Sequence, residues 1–257
     1  MKSEKKEYRS KLDKNWKLPF FFIVLGYLLA PATLEAETIN TTVLFQPPPE
    51  SEQPENTDGA ASRQNQQCFK DFVTARNQEP TPTNQNITAI VPNENYGLTL
   101  TERPTFWVYL PQTSAQQVIL SIKEEGSKPH WQQSVNLTGE AGIIGLQLSD
   151  DAPVLEVGQN YQWAVIVVCG NRPNPNDPVV TSWIKRIDAP VVNSSPTELA
   201  KAANYAKQGI WYDALDILIT EGSSINDWRN IWTEYLQSGG LDTIANEPIL
   251  GALSESP

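Results

Sequence analysis

The feature that most constrains the fold is a series of seven short apolar segments between Asn86 and Asp188, separated by turn residues and with no helical pattern between them. Short strands at this spacing predict an antiparallel β-sandwich of the immunoglobulin or fibronectin type. We therefore assign a sandwich to residues 86–190. The predicted strands are residues 87–91, 105–110, 117–123, 131–137, 143–148, 161–169 and 179–187.

A local signature in the sixth segment supports this fold. Leu155, Gly158 and Tyr161 follow the spacing L-x-x-G-x-x-Y, with Trp163 two residues later. This pattern resembles the tyrosine corner of immunoglobulin-like modules, in which the phenol hydroxyl bonds to nearby backbone. We expect Tyr161 and Trp163 to have structural roles.

The strands at 105–110 and 161–169 are apolar on both faces, so both faces must be covered. Residues 191–257 can supply that cover as a docked helical tail. A capping box at Ser195 predicts a first helix that ends before Gly209, and further helices are predicted at 211–219 and 226–237. The first two helices resemble one tetratricopeptide unit. A single unit forms no solenoid, so we expect it to dock on its own sheet rather than, as the alternative, on a partner.

The N-terminal region has the pattern of an export signal. Residues 1–17 are basic, residues 18–30 are apolar, and small residues follow at Ala30, Ala32 and Ala36. This pattern predicts a signal peptide over residues 1–36. The alternative is an uncleaved helix anchored in the inner membrane, but thirteen apolar residues span only about 20 Å of a ~30 Å hydrocarbon core.

Residues 37–85 are poor in apolar side chains and rich in Pro, Glu, Gln and Asn, which predicts a disordered spacer. This spacer carries Cys68, one of only two cysteines, and the other is Cys169. An even number of cysteines in an exported chain predicts a disulfide. Two free thiols are the alternative.

Composition excludes several classes of function. A single His and two Cys are too few for a zinc or iron–sulfur site of the usual kind, and we predict neither a metal nor a cofactor. The formal charge is −11, with 19 basic against 30 acidic residues. Nucleic-acid binding is not expected of so acidic a chain.

A family resemblance appears when five motifs are taken together. They are residues 98–111 (Leu-Thr-Leu-Thr-Glu-Arg-Pro-Thr-Phe-Trp-Val-Tyr-Leu-Pro), Tyr161-x-Trp163, Cys169, residues 182–186 (Ser-Trp-Ile-Lys-Arg) and residues 209–215 (Gly-Ile-Trp-Tyr-Asp-Ala-Leu). Over about residues 89–249 the chain resembles the cyanobacterial domain-of-unknown-function family 928. That family has no assigned activity, so the resemblance implies an exported envelope or periplasmic protein and no reaction.

The candidate catalytic residues each have a structural alternative. His130, the only imidazole, has no G-x-S-x-G nucleophile elbow to accompany it and is expected in an exposed turn. The carboxylate pairs Glu124-Glu125 and Asp150-Asp151 are of the type that glycosidases use, but they end predicted strands, where acidic residues form turns. We therefore predict no catalytic residues.

Two further features are candidates for binding. The loop after Cys169 is a possible ligand loop, although prolines also suit it to a stiff solvent-exposed turn. Its polar residues are Asn171, Arg172, Asn174, Asn176 and Asp177. Exposed tryptophans stack on sugars, but Trp107, Trp183 and Trp211 lie where a sheet–helix interface would bury them, and we assign them structural roles.

The sequence thus predicts a secreted or periplasmic, non-catalytic binding or scaffolding module of unknown ligand. Its expected partner is an envelope protein or a glycan, and its oligomeric state is left open. The alternatives are a glycan-acting hydrolase, a carbohydrate-binding module, or a protein that docks a partner through its tetratricopeptide-like helices.

Overall fold

The computed structural model describes residues 42–49, 53–54, 68–69, 86–128, 130–189 and 197–254, all of which belong to one compact unit, Asn40–Pro257. The predicted signal peptide and most of the predicted spacer lie outside the described residues. Within these ranges, no helix has the length and apolar character needed to cross a membrane.

The described residues form two mixed sheets and three α-helices. The four-stranded sheet has the order β1-β3-β6-β9, and the five-stranded sheet has the order β2-β8-β7-β4-β5. The strands are β1 (Thr88–Ala89), β2 (Tyr96–Thr99), β3 (Thr105–Leu110), β4 (Gln117–Glu124), β5 (Trp131–Asn136), β6 (Gly142–Gln147), β7 (Asn160–Val168), β8 (Val179–Arg186) and β9 (Ile249–Leu253). The helices are α1 (Glu198–Lys207), α2 (Trp211–Thr220) and α3 (Trp228–Ser238).

The predicted fold class, mainly β with α, is confirmed, and each of the seven predicted segments contains a strand. Two strands were not predicted, and both correct the expectation of a wholly antiparallel sandwich. β2 pairs parallel to β8, and β9 pairs parallel to β6. Because a parallel pair needs a long crossover connection, these strands come from distant parts of the sequence. The C-terminal tail therefore contributes a strand as well as helices.

The sandwich core lies where β3 and β7 face each other. Tyr161, Trp163 and Val165 alternate along β7 and are all buried, as expected for side chains that point to one face. The Phe106 ring on β3 lies 5.1 Å from that of Trp163, centroid to centroid. These aromatic residues join the two sheets.

The tyrosine corner is present. The hydroxyl of Tyr161 accepts a hydrogen bond from the backbone N–H of Glu156 at 3.0 Å. Gly158 between them has φ +84°, a left-handed conformation that favours glycine. The bond fixes the connection that enters β7.

Helix α2 contacts β2 of the five-stranded sheet and β3 of the four-stranded sheet. The indole N–H of Trp211 donates to the carbonyl of Ile90 at 2.8 Å, and Tyr235 on α3 stacks on Trp211 at 4.5 Å. The predicted capping box is misplaced by two residues, since the side chain of Thr197 caps α1 by accepting from Ala200 N at 3.1 Å. Ser195 lies outside the described residues.

Part of the predicted spacer is packed rather than disordered. Val43 and Phe45 are buried, and the Phe45 ring meets Trp211 edge-on at 4.9 Å. The spacer prediction is therefore wrong at residues 42–49. The physical reason is that two alternating apolar side chains bury enough surface to order this short stretch.

The predicted disulfide between Cys68 and Cys169 is confirmed, with Cα atoms 5.2 Å apart and a sequence separation of 101. The backbone carbonyl of Cys68 also accepts from Ser114 N at 3.2 Å and from the hydroxyl of Thr113 at 3.1 Å. These contacts fix the chain around Cys68 to the sandwich.

Candidate ligand-binding site

The predicted ligand loop uses its polar atoms to hold its own shape. The buried carboxylate of Asp177 accepts from Asn174 N at 2.8 Å and from Cys169 N at 3.4 Å. The Asn174 side chain in turn accepts from Asn176 N at 2.9 Å. Asn171 and Arg172 are exposed. Because its carboxylate and amide oxygens already have backbone partners, the loop is arranged as a closed turn.

Four of the seven tryptophans in the described ranges are buried. Trp107 is 2% exposed, while Trp163 and Trp211 are fully buried. Trp183 is half-buried, and so is Trp228. Burial leaves the faces of Trp107, Trp163 and Trp211 no room to stack on a sugar.

Trp131 differs from these residues in its position. It is half-buried on β5, at the open edge of the five-stranded sheet, and it lines a cavity of about 290 Å³ at one end of the sandwich. We call this the end cavity. Its walls include Glu124, Ser127, His130, Trp131, Val154, Glu156 and Tyr161.

The end cavity brings together residues that are distant in the sequence. Glu124 at the end of β4 is paired in register with Tyr161 on β7. Burial raises the pKa of Tyr161, and the charges of Glu124 and Glu156 raise it further. Glu124, Glu156 and Tyr161 thus line one cavity, and the Tyr161 hydroxyl accepts from Glu156 N.

Arginine side chains hold the connection that forms one wall of the end cavity. Arg103 donates to the carbonyls of Ser149, Asp150 and Ala152 at 2.6–2.9 Å. Arg186 donates to the carbonyl of Leu155 at 2.8 Å. These bonds leave Val154 and Val157 on the surface, 41% and 43% exposed. These hydrogen bonds from Arg103 and Arg186 hold the backbone of this wall in place.

The remaining predicted candidates have local partners. Glu125 accepts from the amide of Asn160 at 2.9 Å, and Asp151 accepts from the hydroxyl of Ser149. Both residues are exposed, as are His130 and Asp150. The structure therefore brings His130 and Glu124 to one cavity, while Asp150 and Asp151 lie on the adjoining turn.

A second cavity, of about 260 Å³, lies between helices α1 and α2 and residues 99–105, and we call it the motif groove. Asp213 on α2 ties its walls together. One carboxylate oxygen accepts from the Thr99 hydroxyl at 2.8 Å and from Leu100 N at 3.0 Å, and the other accepts from the Thr101 hydroxyl at 3.0 Å. Asp213 is therefore an anchor between helix and sheet.

Asp216, one turn along α2, lines the same groove. Desolvation raises the pKa of Asp216, and the charge of Asp213 raises it further. The nearby side chains of Trp107 and Thr105 lower this pKa and so partly oppose the shift. The buried indole nitrogen of Trp107 has no hydrogen-bond partner of normal geometry in the described part of the chain. Sequence reasoning missed both aspartates, although two acidic residues three apart on an apolar helix were the available signal.

Among the described residues, no group of three or more His, Cys, Asp and Glu side chains is arranged to hold a metal ion.

Comparison with known proteins gives a family and little more. No curated protein matches the chain. A solution structure of the fn3 domain of the human collagen alpha-1(XX) chain is similar at 10% identity, over 48% of this chain and 97% of that domain, with a TM-score of 0.26. A family described as Domain of Unknown Function (DUF928) matches residues 58–249, about three quarters of the sequence. The chain belongs to this family.

Proposed function

We propose that this protein is an exported, non-catalytic binding module of a cyanobacterial cell envelope, and that the end cavity binds a short glycan. The Cys68–Cys169 disulfide supports export, because such bonds persist in oxidising compartments. Residues 1–36 would direct that export as a signal peptide or, in the alternative, remain as an inner-membrane anchor.

The observation that carries the proposal is the composition of the end cavity. A half-buried indole, two carboxylates, an imidazole and a phenol hydroxyl line one space between fixed loops. Sugars are bound by aromatic rings that pack on their C–H faces and by polar groups that bond to their hydroxyls. At about 290 Å³, the cavity lies near the lower end of ligand pockets, which run from about 300 Å³, and suits one or two sugar units.

A glycan hydrolase is the second candidate, because Glu124 and Glu156 line the same cavity. Glycoside hydrolysis needs two carboxyl groups on opposite sides of the scissile bond. In the end cavity both carboxylates are exposed beside the half-buried Trp131, an arrangement that suits hydrogen bonds to sugar hydroxyl groups. We therefore place binding ahead of catalysis.

The test measures the binding of tri-N-acetylchitotriose to residues 37–257 by isothermal titration calorimetry. We expect saturable binding that Trp131→Ala weakens at least tenfold, while Trp131→Phe keeps part of it. Glu124→Gln should weaken binding, whereas Glu198→Gln, an exposed change on α1, should leave it unchanged.

Mass spectrometry of the incubated sugar separates the two candidates. Intact trisaccharide together with Trp131-dependent binding supports the proposal. Shorter products that disappear in Glu124→Gln would replace it with the hydrolase. Absence of binding to the trisaccharide, or binding that Trp131→Ala leaves intact, would remove the end cavity as its site.

A further inference from the structure

Residues 42–49, which we call the strap, have no regular secondary structure and lie across the ends of two helices. The N–H of Phe45 donates to the Ser238 hydroxyl at 2.9 Å, and the N–H of Gln46 donates to the Ala206 carbonyl at 3.0 Å. The strap thus bonds through its backbone to the ends of both α1 and α3.

Side chains of the strap alternate between the protein and solvent. Val43 and Phe45 are buried, whereas Leu44 between them is 46% exposed. Pro48 is buried against Gly209, where a Cβ would lie 2.9 Å from the proline ring. Backbone bonds with pockets for alternate side chains are the features by which proteins bind extended peptides. The receiving surface, formed by Ala206, Gly209, Trp211 and Ser238, is called the helical groove below.

The covalent link between the strap and the sandwich is long. Thirteen residues, 55–67, separate Pro54 from the disulfide-bonded Cys68, and they include no aromatic or large aliphatic side chain. At ~3.5 Å per residue, this stretch can extend to about 45 Å, which is enough for a strap to reach a neighbouring copy of the protein.

We propose that the helical groove is a peptide-binding site for the spacing Val-x-Phe-x-x-Pro, occupied in a single copy by its own strap and able to accept the strap of a second copy. Reciprocal exchange buries the same contacts in the dimer as in the monomer, so it needs no new interface. The linker holds the strap at an effective concentration of the order of 1 mM, so exchange becomes significant only where copies are crowded.

The first test measures self-association of residues 37–257 by analytical ultracentrifugation up to 1 mM protein, a concentration set by that effective-concentration estimate. We expect dimers that increase with concentration. Because exchange makes the same Phe45 contacts in both forms, Phe45→Ala should leave the dimer fraction nearly unchanged. The control is a protein of residues 50–257, which has no strap to exchange and should stay monomeric. A protein of residues 37–257 that stays monomeric throughout, or dimers that persist in residues 50–257, would overturn exchange between copies.

Removal of residues 37–49 takes the Phe45 ring from beside Trp211 and can destabilise the fold, so a second test keeps the native strap. A protease site between Gly59 and Ala60 is cut after folding, which leaves the strap held without a covalent bond. A fluorescent peptide of residues 40–50 should then replace it, and the same peptide with Phe45→Ala should bind at least tenfold more weakly.

Near-UV circular dichroism follows the tertiary structure of the cut protein during this exchange. A spectrum that stays native while the labelled peptide enters supports a binding groove. Unfolding of the protein on cutting, or failure of the labelled peptide to replace the strap, would show instead that residues 42–49 are an integral part of the core.

Discussion

The indole N–H of Trp163 donates to the hydroxyl of Tyr212 across 2.7 Å, which joins β7 of the sandwich to α2 of the helical region. The Tyr212 hydroxyl donates in turn to the carbonyl of Trp183 at 3.2 Å. Burial raises the pKa of Tyr212 well above its ordinary value. The phenol therefore remains protonated and serves as acceptor and donor in a single buried chain of bonds.

Tyr212→Phe should lower the free energy of unfolding by about 1–3 kcal/mol, because it leaves the buried Trp163 N–H without an acceptor. Urea unfolding measures this change, and the slope of the unfolding free energy against urea concentration should stay constant. Tyr205→Phe, at a half-buried tyrosine on α1, is the control and should cost less.

A double-mutant cycle with Trp163→Phe isolates the bond itself. The cost of the double variant should fall short of the sum of the single costs by about 1 kcal/mol, since either change removes the same interaction. Costs that add within experimental error would mean that the Trp163–Tyr212 bond contributes nothing to stability.

Removing the disulfide should also destabilise the fold. Replacing both Cys68 and Cys169 with Ala should lower the free energy of unfolding by about 2–5 kcal/mol, because the bond closes a long loop in the unfolded chain. Urea unfolding with and without a thiol reductant tests this. The wild type should lose stability on reduction, whereas the double variant should not respond; equal stability of oxidised and reduced wild type would contradict the prediction.

Sequence patterns predicted the central strands because they carry strong local signals. β7 alternates Tyr161, Trp163 and Val165 on one face, and its tyrosine corner has a fixed spacing. β2 (Tyr96–Thr99) gave no such signal, because it is four residues long, contains Gly97 and is buried at every position. Its place depends on parallel pairing with β8, which short-range periodicity does not encode.

The cavities were harder to predict than the strands. Glu124 was predicted at the end of a strand and His130 in an exposed turn, but Glu156 joins them only because the tyrosine corner brings its backbone to Tyr161. Asp213 and Asp216 lie on an amphipathic helix. From sequence, the polar residues of such a helix are expected to face solvent. Residues 99–105 cover that face, and this contact depends on the tertiary fold.

Stability should depend on the charge of Asp216. Its pKa is raised in the folded state, chiefly by desolvation, so the folded protein binds this proton more tightly than the unfolded chain does. The Asp216 contribution therefore makes stability fall as pH rises from the unfolded pKa through the raised folded pKa, and the penalty persists at neutral pH. Asp216→Asn should increase stability at pH 7 and flatten this part of the pH profile.

Asp213→Asn is the matched control, because it changes the same residue type one turn away. The Asp213 carboxylate accepts three bonds from residues 99–101, so its loss should destabilise by about 1–3 kcal/mol. Urea unfolding at several pH values between 3 and 7 compares the two variants. A destabilised Asp216→Asn at pH 7 would contradict the assignment of a desolvation penalty to Asp216.

Two glycines with nearly the same backbone conformation test whether Pro48 of the strap packs tightly against Gly209. Gly209 has φ +75° and Gly126 has φ +73°, so Ala at either position carries a similar left-handed strain of about 1–2 kcal/mol. A Cβ at Gly126 would meet nothing within 4 Å, whereas one at Gly209 would lie 2.9 Å from Pro48. Gly209→Ala should therefore cost about 1–3 kcal/mol more than Gly126→Ala, because only it overpacks.

Hydrogen exchange then shows where the extra cost arises. In Gly209→Ala, the Gln46 amide should exchange faster, because the displaced Pro48 pulls the strap away from the Ala206 carbonyl that accepts its bond. The Trp163 indole, which donates to Tyr212 on α2, should keep its protection. In Gly126→Ala neither group should change. Equal costs for the two variants, or unchanged Gln46 exchange in Gly209→Ala, would mean that Pro48 does not hold the strap against Gly209.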